Sequence, residues 1–194
     1  MEPRINRQYT AFATDKKIAD GEILDVAIKV KKFMNRKEGK TTVLIFDDQT
    51  GDQIEVDFRG DVDSVKERLE SLLASQLGKK PGPGRPRLGV VAKEITLLPE
   101  HWEWLGIQPG GASVTLRRLI EEAKKKNVSR DQIRQAQDRT YKFMTVMAGD
   151  LPDYEEALRA LYAGDAKSFQ TRLSSWPKDI QEHTRKLALE ALRA

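Results

Sequence analysis

The stretch Leu77-Gly-Lys-Lys-Pro-Gly-Pro-Gly-Arg-Pro-Arg-Leu-Gly89 packs four glycines and three prolines into thirteen residues. Proline fixes φ and removes a backbone donor, and glycine multiplies the accessible conformations, so neither a helix nor a strand can run through it. It therefore divides the 194-residue chain and predicts separately organised segments on its two sides. The expected layout is an α+β domain over 1–77, a linker over 78–89, a strand-helix-helix element over 90–127 and a helical segment over 128–194.

On the N-terminal side, Tyr9 to Ala19 opens in a β-like way, and Ile23, Val26, Ala27, Val30, Phe33 and Met34 recur at helical spacing, predicting an amphipathic helix ending near Asn35. Thr41 to Phe46 is a β-branched run and Asp47-Asp-Gln-Thr-Gly-Asp52 is turn chemistry. Ile54, Val56 and Phe58 alternate with Glu55, Asp57 and Arg59, which predicts a hairpin with one wet face. Asp61 is an N-cap for a helix carrying Val62, Val65, Leu69, Leu72 and Leu73. The order reads β-α-β-β-α, with helices over one face of the sheet.

Beyond the linker, Val90 to Leu98 reads as a strand and Pro99 sits at a favoured first-turn position. Glu100 to Gln108 makes a short helix stopped by Pro109-Gly-Gly111, and Ser113 caps a second helix reaching about Lys126. Asp150 to Pro152, Gly164 and Pro177 then divide the remainder into three or four helices, expected to cover part of the central segment.

Hydrophobic residues make up 39% of the chain and charged residues 33%, enough for a packed interior beneath a charged surface. The net charge of +4 is modest, but Lys79, Lys80, Arg85, Arg87 and Lys93 fall in a stretch without a single acid. The absence of cysteine excludes disulfides, thiolate metal sites and cysteine nucleophiles. The polar start and the lack of any apolar run near the roughly 18–20 residues that span a bilayer predict no membrane partner and a cytoplasmic location.

The run Lys93-Glu-Ile-Thr-Leu-Leu-Pro-Glu-His-Trp-Glu-Trp-Leu105, followed by Gly110-Gly-Ala-Ser-Val-Thr-Leu-Arg-Arg-Leu-Ile-Glu-Glu-Ala123, resembles the ribbon-helix-helix family of bacterial DNA-binding proteins. That resemblance implies a homodimer whose paired strands enter the major groove while the start of the second helix meets a phosphate. It implies that Gly111, Ala112 and Ser113 offer N–H groups to phosphate and that the outward strand residues face the bases. Those are Glu94, Thr96 and Leu98 in one register and Lys93, Ile95 and Leu97 in the other.

The whole chain also resembles an uncharacterised bacterial domain-of-unknown-function family, through Phe46-Asp-Asp-Gln-Thr-Gly51, Val56-Asp-Phe-Arg-Gly60, Gly84-Arg-Pro-Arg-Leu-Gly-Val-Val91, Leu98-Pro-Glu-His-Trp-Glu-Trp-Leu105 and Trp176-Pro177. That likeness implies one protein rather than a chance fusion, and no activity.

Gly84-Arg-Pro-Arg87 resembles part of an AT-hook, with Pro83 standing where the first arginine of that core belongs. Trp102 and Trp104 lie about 200° apart on a helix, so they cannot form one stacking platform, and Trp102 with Leu105 is expected to pack toward the second helix. Asp47, Asp48 and Asp52 lack the spacing of a calcium loop and suit a turn. With no phosphate loop, nucleophile elbow or histidine-metal pattern, no catalytic residue, metal or cofactor is expected.

The leading expectation is a dimeric DNA-binding regulatory or chromatin-associated protein, using Lys79, Lys80, Arg85, Arg87, Lys93, Thr96, Gly111, Ser113, Arg117 and Arg118. The alternative is a dimerisation or partner-docking module, as in antitoxin relatives of ribbon-helix-helix proteins, without DNA affinity. A third is an enzyme built on buried carboxylates of the N-terminal domain.

Overall fold

A computed structural model describes residues 7–36, 41–77 and 93–192 of the chain. It is an α+β structure that divides into two units, one formed by residues 1–80 together with 132–194 and the other by 81–131.

The first unit is built on an antiparallel four-stranded sheet with the order β2-β1-β3-β4. Its strands are β1 (Tyr9–Ala13), β2 (Lys16–Gly21), β3 (Val43–Asp47) and the two-residue β4 (Gln53–Ile54). The opening stretch expected as one β-like element is a hairpin, so the observed order is β-β-α-β-β-α. The hairpin turns at Thr14, whose φ of 56° is a left-handed conformation normally left to glycine or asparagine. The wet hairpin expected through Arg59 shrinks to β4, because residues 55–59 carry no ladder.

β1 is buried along its whole length. Successive side chains of a strand point to opposite faces, and the partition is visible here. Tyr9 and Ala11 join Ile45, Val26 and Val30 in one core, and Phe12 joins Phe46, Phe143, Met144, Leu161 and Leu187 in another. The first core is roofed by α1 (Ile23–Arg36) and α2 (Val62–Leu77). Asp61 caps α2 as expected, its carboxylate accepting from Ser64 N at 2.8 Å.

The sheet is not covered on one face only. Residues 132–148 of α4 (Gly111–Ala148), with α5 (Tyr154–Ala163), α6 (Ala166–Arg172) and α7 (Lys178–Ala188), build the second core on the other face. The predicted breaks are where they were expected: 149–153 and Gly164 separate α4, α5 and α6, and a single 3-10 turn with Pro177 precedes α7. The aromatic centre is tight, with Phe143 5.0 Å from Phe46 and 5.4 Å from Phe12 between ring centroids. Such edge-on and tilted contacts add about 0.5–1.5 kcal/mol each beyond area burial.

The second unit holds α3 (Pro99–Gly106) and residues 111–131 of α4. Pro99 stands in the first turn of α3, as expected. The described part of the predicted strand, residues 93–98, has no strand pairing. A strand exists only through a neighbour's ladder, and the described residues of this unit contain no other strand. The second helix does not stop near Lys126. No proline or glycine interrupts the chain between Gly111 and Gly149, so one helix of 38 residues forms.

Candidate nucleic-acid interface

Of the residues expected to meet DNA, Lys79, Lys80, Arg85 and Arg87 lie outside the described residues. Lys93 and Thr96 are exposed in the unpaired segment that leads into α3. Gly111 opens α4 with φ of +73°, following Gly110 at +84°. These two left-handed residues make the tight turn that lets α3 run straight into α4. The Gly111 N–H is spent within that turn, donating to the Gln108 carbonyl at 2.9 Å. Ala112 and Ser113 are therefore the first-turn N–H groups left to face an anion. Ser113 lies inside the first turn and is exposed, so Gly111 rather than a serine cap begins the helix.

Arg117 and Arg118 are exposed one turn further on. Arg117 Nε donates to the Ser113 carbonyl at 3.0 Å, and Arg118 Nη1 pairs with Glu122 at 3.1 Å, four residues along the helix. Both partners of the Arg118–Glu122 pair are more than half exposed. Exposed pairs of this kind contribute at most about 0.5 kcal/mol and exchange readily for other partners.

The unit buries little of its apolar surface. Among its described residues only Leu105 and Thr115 are buried, while Ile95, Leu98, Trp102, Trp104, Ile107, Val114 and Ile120 are each at least 45% exposed. The expectation that Trp102 packs with Leu105 fails for Trp102. An eight-residue helix beside one other helix covers only a single side chain of its own, Leu105.

In the acidic turn at 47–52 each of the three carboxylates has a cationic partner. Asp47 is buried, 2.7 Å from Arg7 Nη1, and accepts from Gln49 N at 2.8 Å. Asp48 Oδ2 accepts from Lys186 at 2.7 Å and from the Thr10 hydroxyl at 3.1 Å. Asp52 takes Lys142 at 2.6 Å, which holds its carboxyl below the usual range despite some burial. The three carboxylates thus pin one turn to different parts of the unit. Among the described residues no group of three or more histidine, aspartate or glutamate side chains is placed to hold a metal ion.

The residue that sequence reading passed over is His183 of α7. It is buried against Phe143 and Phe12, with ring centroids 4.7 and 5.4 Å away. Its Nε2 lies 3.5 Å from Asp48 Oδ1, and neither atom has a hydrogen-bond partner. Burial lowers its pKa from 6.5 to about 4, against the opposing pull of Asp48, so the ring is neutral at pH 7. A cavity of about 200 Å³ opens beside it, but the charged groups on its rim are already engaged: Lys186 with Asp48, Lys17 with Asp20, and Glu182 with Lys178. The signal for burial was in the sequence, since Ile180, His183, Thr184 and Leu187 fall on one helical stripe.

Residues 8–188 match the family described as an uncharacterized protein conserved in bacteria (DUF2239). The chain belongs to this family. The match spans the sheet, both helical layers and the second unit, so the family embraces the whole arrangement. No curated protein and no solved structure matches the chain. Among the described residues no helix is long and apolar enough to cross a membrane.

Proposed function

We propose that this protein binds duplex DNA as a homodimer, using the basic segment 79–93 and the start of α4. The observation that supports this most is the coincidence of two features in one stretch of chain. Five basic side chains without an acid between Lys79 and Lys93 run directly into a unit that leaves its apolar side chains uncovered. The first feature suits phosphates, and the second suits a second copy, because a unit that buries only Leu105 and Thr115 among its described residues leaves apolar side chains that a partner could cover. Arg117, Arg118 and the N–H groups of Ala112 and Ser113 supply further contacts to phosphate.

The test is binding of the full-length protein to labelled duplex DNA across a salt series, beside an Arg85→Ala/Arg87→Ala variant. Loss of two phosphate contacts is expected to lower the slope of log affinity against log salt by about 2. Absence of binding at low salt would sink the DNA reading. It would leave a protein-docking role, which the exposure of Trp102, Trp104 and Ile107 favours on its own, since aromatic residues dominate protein interfaces.

A further inference from the structure

We propose that Lys125, Lys126 and Arg130 of α4 make a second contact to the phosphate backbone of duplex DNA, one that reads no base sequence. The inference deepens the DNA half of the function proposed above and rests on it, and it is independent of the dimeric half.

The seven residues Lys124-Lys-Lys-Asn-Val-Ser-Arg130 carry four cations and no acid. They belong to the second unit's part of α4, where no side chain between residues 116 and 131 is buried. Lys125, Lys126 and Arg130 are each exposed, and the side chain of none of them takes part in a hydrogen bond or an ion pair. The two acids one turn back from Lys125 and Lys126 are already engaged, Glu121 by Lys124 and Glu122 by Arg118, each at 3.1 Å. Arg130 has no acid three or four residues away on the helix. Between Arg117 and Arg130 six cations stand against two acids, a surplus of four that equals the net charge of the entire chain.

An uncompensated surplus of this density calls for a polyanion. An acidic protein surface is the poorer match, because protein interfaces are depleted in lysine and rely on aromatic anchors, and the stretch 124–130 holds no aromatic residue. A phosphodiester backbone needs only the cations, since binding gains from the counterions it releases. With no ion pair to break, Lys125, Lys126 and Arg130 exchange only water and counterions for phosphate. Reading bases takes planar side chains held in a fixed orientation. Asn127, the one amide in the stretch, is turned back onto the helix and donates to the Ala123 carbonyl at 2.9 Å, and Arg130 has no partner that fixes its guanidinium. Lys126 and Arg130 follow each other on one face, about 6 Å apart along the axis, so the contact is with backbone and carries no sequence information.

The experiment measures binding of the full-length protein to two labelled duplexes of unrelated sequence across a salt series. Two variants accompany the wild type, and circular dichroism checks that both fold. Lys125→Gln/Lys126→Gln/Arg130→Gln removes the contact. Lys16→Gln/Lys32→Gln/Lys167→Gln removes the same charge from three exposed cations of the first unit whose side chains also lack partners. The first variant is expected to lower the slope of log affinity against log salt by about 2.7, at about 0.9 per phosphate, and equally on both duplexes. Its affinity deficit should then shrink roughly fortyfold between about 50 and 200 mM salt. The second variant is expected to keep the wild-type slope. A slope untouched by the first variant, an equal fall in both variants, or a loss confined to one duplex would overturn this inference and leave the DNA reading standing. No binding by the wild type at low salt would overturn both.

Discussion

At Gly51 the chain adopts φ of +72°, and a Cβ there would collide with the backbone carbonyl of Arg139. The acidic turn can press against α4 only because this residue has no side chain. Gly51→Ala is expected to destabilise the protein by at least about 2 kcal/mol, from the left-handed backbone and the clash together, read from urea unfolding. His183 makes a prediction of opposite character. Its folded pKa, about 4, lies below its unfolded value of 6.5. The unfolded chain therefore binds the extra proton between those pH values, and the stability tied to the neutral ring is complete above pH 6.5 and declines as pH falls toward 4. A depression of this size corresponds to about 3 kcal/mol. The wild type should lose roughly that much relative to His183→Gln between pH 7 and 4; parallel pH profiles of the two proteins would contradict this. At this scale the sequence was half legible. The stripe of α7 carried the burial of His183, but its neighbour Asp48 is far away in the sequence and nothing local announced the contact.

Among the elements, amphipathic helices with strong apolar stripes were the readable ones, and α1 ends within a residue of its expected limit because Ile23, Val26, Ala27 and Val30 all enter the core. The hairpin of β1 and β2 escaped because Lys16-Lys-Ile-Ala-Asp-Gly21 is polar for a strand and its turn uses threonine instead of glycine. Its pairing comes from β1, which is sandwiched between helices and needs a ladder on both edges. The length of α4 escaped for the reverse reason: an end was expected near Lys126, but no proline or glycine is present there to make the backbone stop. α4 and α2 should respond very differently to truncation. Phe143→Ala empties the junction of three aromatic rings and is expected to cost about 3–5 kcal/mol, whereas Leu72→Ala on α2, at a position 58% exposed, should stay within about 0.5 kcal/mol. Thermal unfolding of the two variants checks the contrast.

On the scale of the whole molecule, the sequence divides at its Pro/Gly segment, yet the first unit reunites chain from both sides of it. Phe12 and Phe46 from the N-terminal part meet Phe143, Leu161 and Leu187 from the C-terminal part in one core. Sequence periodicity reports which residues are buried, but not which distant segment buries them. A chain ending at residue 131 is therefore expected to lack a cooperative unfolding transition and near-ultraviolet circular dichroism, despite containing all four strands of the described sheet. A sharp transition in that fragment would show that α1 and α2 suffice to hold the sheet.

A discontinuous unit also has a history during synthesis. The second face of the sheet waits for α7, whose Leu187 is made 141 residues after Phe46. At typical elongation rates that interval is on the order of ten seconds. Throughout it, Phe12 and Phe46 have been made without the segment that buries them, and exposed apolar surface of this kind is what makes incomplete chains prone to aggregate.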